Sequence, residues 1–262
     1  MANPSFDSLF SGHAAAYAEF RPRYPAALFA ALAERAPARR AAWDCGTGNG
    51  QAALGLADHF ERVLATDVSA EQLAQATPHP RVTYRHLAND ADGEPRDLAD
   101  ASFDLVAVAQ AAHWFDLPRF YATVARVLAP GGVLALWCYS LLEVAPPIDA
   151  LVRELHDGTL APDWPPPRAL VMNGYRDLAL PFAEITAEIT AALPRVAIEQ
   201  ELSLAGLLGY LATWSAVQQQ RRRTGSDPLV ALTPQLARAW GDPQRPRPVR
   251  WPLHLRVARK PA

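Results

Sequence analysis

The chain has 262 residues, half of them hydrophobic and a fifth charged, as expected of a globular protein with room for a large α/β core. Its formal net charge of -2 excludes a global positive field that would draw it onto nucleic acid or an anionic membrane. Two cysteines, Cys45 and Cys138, in no CxxC or Cys/His spacing, exclude a disulfide framework and a cysteine metal site, and they fit a reducing cytoplasm. The basic residues are almost all arginine, with Lys260 the only lysine, which reads as compositional bias. Residues 1–9 lack the charged and apolar regions of a secretory signal. The most apolar window, 127–148, is broken by Pro130, Gly131, Gly132, Glu143, Pro146 and Pro147, so a buried strand with its turns is expected there and no membrane span.

In chain order, 14–20 and 25–36 read as helices joined at Arg21-Pro22-Arg23-Tyr24-Pro25, where two prolines enforce a break. From about Arg40 strands and helices alternate. Residues 41–44 form a short apolar strand that runs into Gly46-Thr47-Gly48-Asn49-Gly50, and a helix follows with Ala53, Leu56, Ala57 and Phe60 on one face. The second strand covers 62–67, and Ser69 with Gln72 forms a capping box for the next helix. Residues 81–87 alternate as a third strand, and 103–109 is the near-continuous apolar run of a strand covered on both faces. A helix is expected over 117–128, ended by Pro130-Gly131-Gly132, and a fifth strand over 133–139. Five strands alternating with helices predict a doubly wound, mostly parallel sheet. Beyond Tyr139, prolines at 146, 147, 162, 165, 166 and 167 mark an irregular cap. Residues 183–191 alternate like a strand, 204–220 reads as one helix, and 249–258 as the last strand.

The Asp44 to Gly50 turn carries the most chemistry. A glycine-rich turn between a strand and a helix lets backbone approach a ligand closely and aims free N–H groups at it. A dinucleotide site needs GxGxxG, whose third glycine would fall where Gln51 stands. Here the loop is GxGxG, and Asp44, two residues before its first glycine, would repel a pyrophosphate but not a cationic ammonium or sulfonium. Asp67, at the end of the second strand and nineteen residues past Gly48, can accept both ribose hydroxyls of an adenosine. The residues thus favour S-adenosylmethionine over a nicotinamide dinucleotide.

With these residues in view, the chain resembles a class I S-adenosylmethionine-dependent methyltransferase of the type 11 group, in the branch that contains trans-aconitate methyltransferases. The likeness covers nearly the whole chain. It is carried by Tyr17 and Arg21 to Pro25, the Asp44 to Gly50 loop, Asp67, Phe103-Asp104-Leu105-Val106, Gln110-Ala111-Ala112-His113-Trp114-Phe115-Asp116, Leu128 to Gly132, and Thr213 to Val217. It implies a seven-stranded Rossmann-like sheet in one domain over 1–262. An N-terminal helical lid is expected at 1–38, a cofactor-binding core at 39–140, and a cap insertion with the final strands at 141–262. By resemblance, Gly46, Thr47 and Gly48 line the methionine part, Asp67 and Val68 border the ribose, and Gln110 and Ala111 lie near the sulfonium. An acid after the third strand meets the adenine amino group; Asp90 is the first choice and Asp92 the second. Tyr17 and Arg21 can close over the cofactor from the N-terminal segment.

Methyl transfer from a sulfonium is an in-line displacement that needs alignment, exclusion of water and no metal. A carboxylate acceptor needs no base, whereas a hydroxyl or carbon acid does. His113, just past the fourth strand, is the candidate catalytic residue, as a base or as a hydrogen-bond donor orienting an acidic substrate. Trp114 and Trp214 are expected in the substrate pocket. Arg221-Arg222-Arg223 reads as a solvated helix end rather than an anion clamp. The function expected is methyl transfer to a small-molecule acceptor, with a carboxylate as one option. A nicotinamide-dependent oxidoreductase and a non-catalytic S-adenosylmethionine-binding protein are the alternatives. Nucleic acid is not expected as a partner, since no basic stripe is visible and Gln110-Ala111-Ala112-His113 stands where an Asn/Asp-Pro-Pro-Tyr/Phe motif would follow the fourth strand.

Overall fold

The apolar runs come together as one sheet in the computed structural model, which describes residues 20–87, 95, 97–193 and 196–262. β1 (Ala41–Cys45), β2 (Arg62–Asp67), β3 (Val82–His86), β4 (Phe103–Ala109) and β5 (Leu128–Tyr139) lie parallel in the order β3-β2-β1-β4-β5. β1 is buried along its whole length, and so is β4 up to Val108, because helices cover both faces. The strand order reverses between β1 and β4, and such a switch point leaves a crevice beyond the strands' carboxyl ends.

One face of the sheet is covered by α1 (Ala26–Arg35) and α2 (Gln51–Ala57), whose Leu28, Phe29, Leu32, Ala53 and Leu56 pack with Trp137 of β5. α1 is therefore a layer of the core, and of the expected N-terminal lid only 20–25 among the described residues borders the crevice. After β2 comes the short α3 (Ala70–Leu73), where half of the expected capping box forms: the Ser69 hydroxyl accepts from the Gln72 amide, while the Ser69 amide donates to Asp67 and not to the Gln72 side chain. The other face is covered by α4 (Leu117–Val127), started by the Asp116 carboxylate and Pro118 and packed through Phe120, Val124 and Val127 against Trp43 and Phe103. Pro130-Gly131-Gly132, expected as the turn that ends this helix, instead bulges within β5: pairing with β4 steps from Phe103↔Leu128 to Leu105↔Val133.

The second half builds a core of its own over the sheet's end. α5 (Pro146–Arg153) leads through a π-helical turn, Glu154–Thr159, to α6 (Arg168–Met172), β6 (Ala183–Glu184), α7 (Thr186–Ala192) and β7 (Ala197–Leu202). α8 (Leu204–Ala212), α9 (Ser215–Thr224), α10 (Pro228–Trp240) and β8 (Arg247–Arg259) complete the chain. β8 joins the two halves. Its last seven residues run antiparallel to β5, whereas its first six pair with β7. Leu255 and Val257 thus sit in the sheet core, and Val249 and Trp251 in the cap core.

Three expectations for this half are corrected. The alternation over 183–191 is a two-residue strand followed by a helix, because Ile185 and Ile189 are also one helical turn apart and Ile189 is buried on the α1 face. The single helix over 204–220 is two helices broken at Thr213-Trp214, where Arg21 donates to the Thr213 hydroxyl (3.0 Å) and carbonyl (3.3 Å). β7 and α10 were not expected as elements; in β7 Ile198 is buried while Glu199 and Glu201 face outward. No helix among the described residues is long and apolar enough to cross a membrane.

The start of β1 is tied to β4 by one carboxylate. Asp104, 1% exposed, accepts from the Arg40 and Ala41 amides (2.9 and 3.2 Å) and from the Arg40 guanidinium (2.9 Å). Asp104→Ala strands two backbone donors and is expected to cost about 2–4 kcal/mol of stability, read as a lower denaturant midpoint. A midpoint unchanged from the parent protein would show that these bonds contribute nothing net.

Candidate functional site

The crevice divides into two adjoining clefts. The first, about 660 Å³ and open to solvent, lies over the glycine turn and the ends of β2 and β4. The Gly46 and Thr47 amides both donate to the Thr66 carbonyl at 2.9 Å, fixing the turn against β2. Gly46 (φ +70°) and Gly48 (φ +57°) are left-handed, but their surroundings differ. A Cβ on Gly46 would meet Ala111 Cβ at 2.6 Å, whereas one on Gly48 would have only Gln72 Oε1 near it, at 3.9 Å. Gly46 allows close packing, and Gly48 keeps the cleft open.

Asp67 anchors this turn and borders the cleft. Its Oδ2 accepts from the Gly48 amide (2.7 Å) and its Oδ1 from the Ser69 amide (2.8 Å). Both oxygens of this carboxylate are thus engaged with backbone amides at the cleft's edge. Asp44 is placed differently from the expectation. It is fully buried beneath the turn, accepts from the Thr47 hydroxyl, and does not line the cleft. Its Oδ1 lacks a hydrogen-bond partner. Burial pushes its carboxyl up to about 7, opposed by the Thr47 hydroxyl and reinforced by the charge of Asp67.

Arg21, Thr47, Gln110 and Ala111 also border the first cleft, and Val68 does not; its carbonyl accepts from His86 Nε2 at 2.9 Å. Tyr17, Asp90 and Asp92 lie outside the described residues. Gln110 has a left-handed φ of +59°, unusual for a side chain of its size and costly by about 1–3 kcal/mol. Gln72 is a lining residue that the sequence reading took only for a cap. It is 5% exposed and its Oε1 has no partner, an acceptor left ready inside the cleft.

The second cleft, about 590 Å³, shares Arg21, Gln110, Trp114 and Tyr139 with the first. His113, Trp114 and Trp214 all line it, as expected. Trp164 and Tyr210 complete its walls, with ring centroids 5.5 and 6.0 Å from Trp214. Among the described residues two guanidinium groups line it and no carboxylate does. Arg21 donates to the Tyr139 hydroxyl (2.8 Å) and lies over the Tyr210 ring. Arg168 stacks over Trp164 at 4.8 Å, with a buried Nε lacking a partner and no carboxylate paired to it among the described residues. Burial lowers its pKa, and the positive charge of Arg21 lowers it further. His113 Nδ1 lies 2.8 Å from the Tyr175 hydroxyl, and burial together with the Arg168 charge holds the imidazole down at about 3.

Sequence reasoning missed Arg168, Trp164, Tyr139, Tyr210 and Tyr175. Arg168 follows the Pro165-Pro166-Pro167 run, which read only as irregular cap. The arginine run is the exposed end of α9, as expected, and two of its members are ion-paired there: Arg221 with Asp227, and Arg223 in a two-pronged pair, at 2.8 and 2.7 Å, with the buried Asp163 beside Trp164. Among the described residues no three His, Cys, Asp or Glu side chains converge as a metal site.

Residues 43–136 match a protein-family model described as a methyltransferase domain. A Dictyostelium discoideum protein provisionally named a methyltransferase is 33% identical over 239 residues, covering 90% of this chain and 87% of the relative. A solved structure from Anaeromyxobacter dehalogenans, described provisionally as a type II methyltransferase, is 50% identical over 93% of this chain and 100% of that one, with a TM-score of 0.81. A Saccharomyces cerevisiae relative named as an S-adenosylmethionine-dependent methyltransferase is 30% identical over 142 residues, 52% of this chain and 47% of its own length.

The raised Asp44 carboxyl fixes a pH dependence. An unfolded aspartate titrates near 3.9, so from about pH 4 to 7 the folded protein holds a proton that the unfolded chain has released. Stability falls as pH rises through that window, by on the order of 4 kcal/mol if no relaxation occurs. His113, whose pKa is lowered, has the opposite sign: its contribution is full above its unfolded value and is lost as pH falls. The difference in Tm between Asp44→Asn and the parent isolates the first term. The variant should gain on the parent between about pH 4.5 and 8, and a difference that is flat with pH would refute the raised carboxyl.

Proposed function

The chain belongs to the S-adenosylmethionine-dependent methyltransferases, and we propose that it methylates a small acidic molecule on a carboxylate oxygen. The observation that carries this reading is a pair of guanidiniums, Arg21 and the buried Arg168 with its unpartnered Nε, in an aromatic-walled cleft that no carboxylate lines among the described residues. Two like charges that repel one another out of bulk water are stabilised by an anion placed between them. The trans-aconitate branch is one source of such acceptors, but the reading rests on the cleft. The nicotinamide and non-catalytic alternatives are not favoured, since the relatives reported above are named as methyltransferases.

The first cleft fits the methyl donor on two counts: the open space at Gly48 and the unpartnered Gln72 Oε1, beside the Asp67 carboxylate at its border. In the proposed site Gly46, Thr47 and Gly48 border its methionine part, Asp67 and Gln72 accept from its hydroxyl or amine donors, and Gln110, Ala111 and Arg21 lie toward the second cleft. Asp44 acts from below, shaping the turn through Thr47. When bound, S-adenosylmethionine supplies a methyl group already activated on a positive sulfur, so a carboxylate oxygen gains the methyl carbon as the carbon–sulfur bond breaks, with no proton transferred. The protein's task is then alignment and exclusion of water, and well-aligned reactants can gain about 7–11 kcal/mol. Arg168 and Arg21 hold the acid, and Trp114, Trp164 and Trp214 wall it from solvent. His113 stays neutral at physiological pH.

For the donor cleft, Gly48→Val should abolish S-adenosylhomocysteine binding, because its side chain would enter the cleft, where Gln72 Oε1 at 3.9 Å is the nearest atom beyond its chain neighbours, and its left-handed φ would strain the turn. Asp67→Ala should weaken binding by about 1.5–3 kcal/mol. Calorimetry that finds unchanged affinity in both folded variants would remove this turn from the donor site. For the acceptor, the protein is incubated with methyl-labelled donor and a panel of small carboxylic acids with their neutral amides. Methyl esters return the label as methanol in alkali, whereas ethers and N-methyl products retain it. Label released as methanol from acids alone, and lost in Arg168→Met, supports the reading; transfer only to the amides or to hydroxyl acceptors would overturn it.

A further inference from the structure

We propose that Tyr175 is a positioning residue that fixes His113 as its Nε2–H tautomer, so that a hydrogen-bond donor and not a base faces the acceptor cleft. The proposal rests on the reading of that cleft as an acceptor site, and it adds which group of His113 faces that cleft.

Tyr175 is held under strain. Gly174 and Tyr175 are consecutive left-handed residues, with φ of +67° and +59°. Such a conformation costs a tyrosine about 1–3 kcal/mol and persists only when its surroundings impose it. Here the Tyr175 amide donates to the Leu170 carbonyl at 2.9 Å. The carbonyls of Tyr175 and Arg176 both accept from Arg256 of β8, at 2.7 and 2.9 Å. Arg256 is itself held by Glu184 of β6 through contacts of 2.7 and 3.1 Å. The sheet's antiparallel edge thus clamps the loop whose side chain supports His113.

That clamp buries the phenol completely and leaves its hydroxyl 2.8 Å from His113 Nδ1, the one hydrogen-bond acceptor within its reach that the described residues show. A phenol carries one proton. If Nδ1 carried a hydrogen and donated, the phenolic hydrogen would be buried with no acceptor, at a cost of about 1–3 kcal/mol. The arrangement without an orphan has the phenol donating to Nδ1. A neutral imidazole that accepts at Nδ1 carries its hydrogen on Nε2. The backbone amides of Ala112 and His113 favour negative charge on the same phenolic oxygen, consistent with its serving as donor toward the ring. The other titratable groups near this pair, Arg168 and Cys138, offer no negative charge that would favour an imidazolium: one is a cation, and burial raises the other's pKa to about 12.

Two consequences follow for the cleft. An Nε2–H donor can bond a carboxylate or carbonyl oxygen and so orient it. It has no lone pair with which to take a proton from a hydroxyl or carbon acid, so His113 in this tautomer cannot be the base that such acceptors require. Tyr175 would therefore restrict the acceptor's chemistry without touching it.

Nitrogen NMR of protein labelled with ¹⁵N-histidine, saturated with S-adenosylhomocysteine, reads the tautomer directly, with His113→Gln identifying the signals. The expected spectrum has a pyridine-type Nδ1 and a pyrrole-type Nε2, both unchanged from about pH 5.5 to 8. In Tyr175→Phe, which keeps the ring and removes the hydroxyl, the two shifts should move toward each other as the tautomers mix. A hydrogen on Nδ1 in the parent protein, an imidazolium titrating in that range, or an unchanged tautomer in folded Tyr175→Phe would each overturn the proposal. If Tyr175→Phe fails to fold, the parent spectrum alone still decides. No acceptor is added, so this result is independent of whether carboxylic acids turn out to be the substrates.

Discussion

One guanidinium joins the parts of this molecule that its site requires. Arg21 donates to the Tyr139 hydroxyl at the end of β5 and to the Thr213 hydroxyl and carbonyl between α8 and α9, and it lies over the Tyr210 ring. It thereby ties the N-terminal segment, the sheet and the cap together at the wall shared by the two clefts. It meets Thr213 at the junction of α8 and α9, where the last carbonyls of α8 are satisfied locally, Tyr210 by the Thr213 hydroxyl (2.6 Å) and Ala212 by Gln218 Nε2 (2.7 Å), and Trp214 lines the cleft.

That break explains what the sequence does and does not disclose. Strands β1 to β5, the glycine turn and the Ser69 cap are written in neighbouring residues: apolar runs, positive-φ glycines, and a hydroxyl three residues before its amide. Such local signals could be read directly. The end of α8 is capped by the Thr213 hydroxyl and the Gln218 amide and met by a side chain 192 residues away, and the run Leu204 to Gln220 has continuous helical periodicity that gives no hint of it. Arg168 and Tyr175 are hidden for the same reason. The proline run before the one and the strained Gly174–Tyr175 turn carrying the other both look like loose chain, yet contacts with Trp164 and Arg256 from distant elements define them. Asp44 was legible as a residue but not as a direction, because whether a strand's last acid points into the cleft or under the turn depends on the packing below it.

The charge distribution has a similar lesson. A net charge of -2 describes no field worth naming, and yet the crevice is sharply divided. Asp67 lies on the side proposed for a cationic donor; Arg21 and Arg168 lie on the side proposed for an anionic acceptor. Each half favours its own ligand electrostatically, and each ligand then improves the site for the other. Binding in either order is therefore expected to be mutually favourable on this reading.

Placement of the charges matters to the rate as much as to binding. A carboxylate loses its charge as it becomes an ester, so a guanidinium bonded to the reacting oxygen would stabilise the reactant more than the transition state and would slow the transfer. A neutral donor on that oxygen loses much less as the charge disappears, because its bond to an ester oxygen remains a good one. The proposed His113 Nε2–H is such a donor, and burial keeps it from gaining the positive charge that would undo the advantage. The two arginines are then best used away from the reacting oxygen, on a second anionic group or on the rim of the acid. A cleft with two cations and one neutral histidine suits an acceptor that presents more negative charge than the reaction consumes.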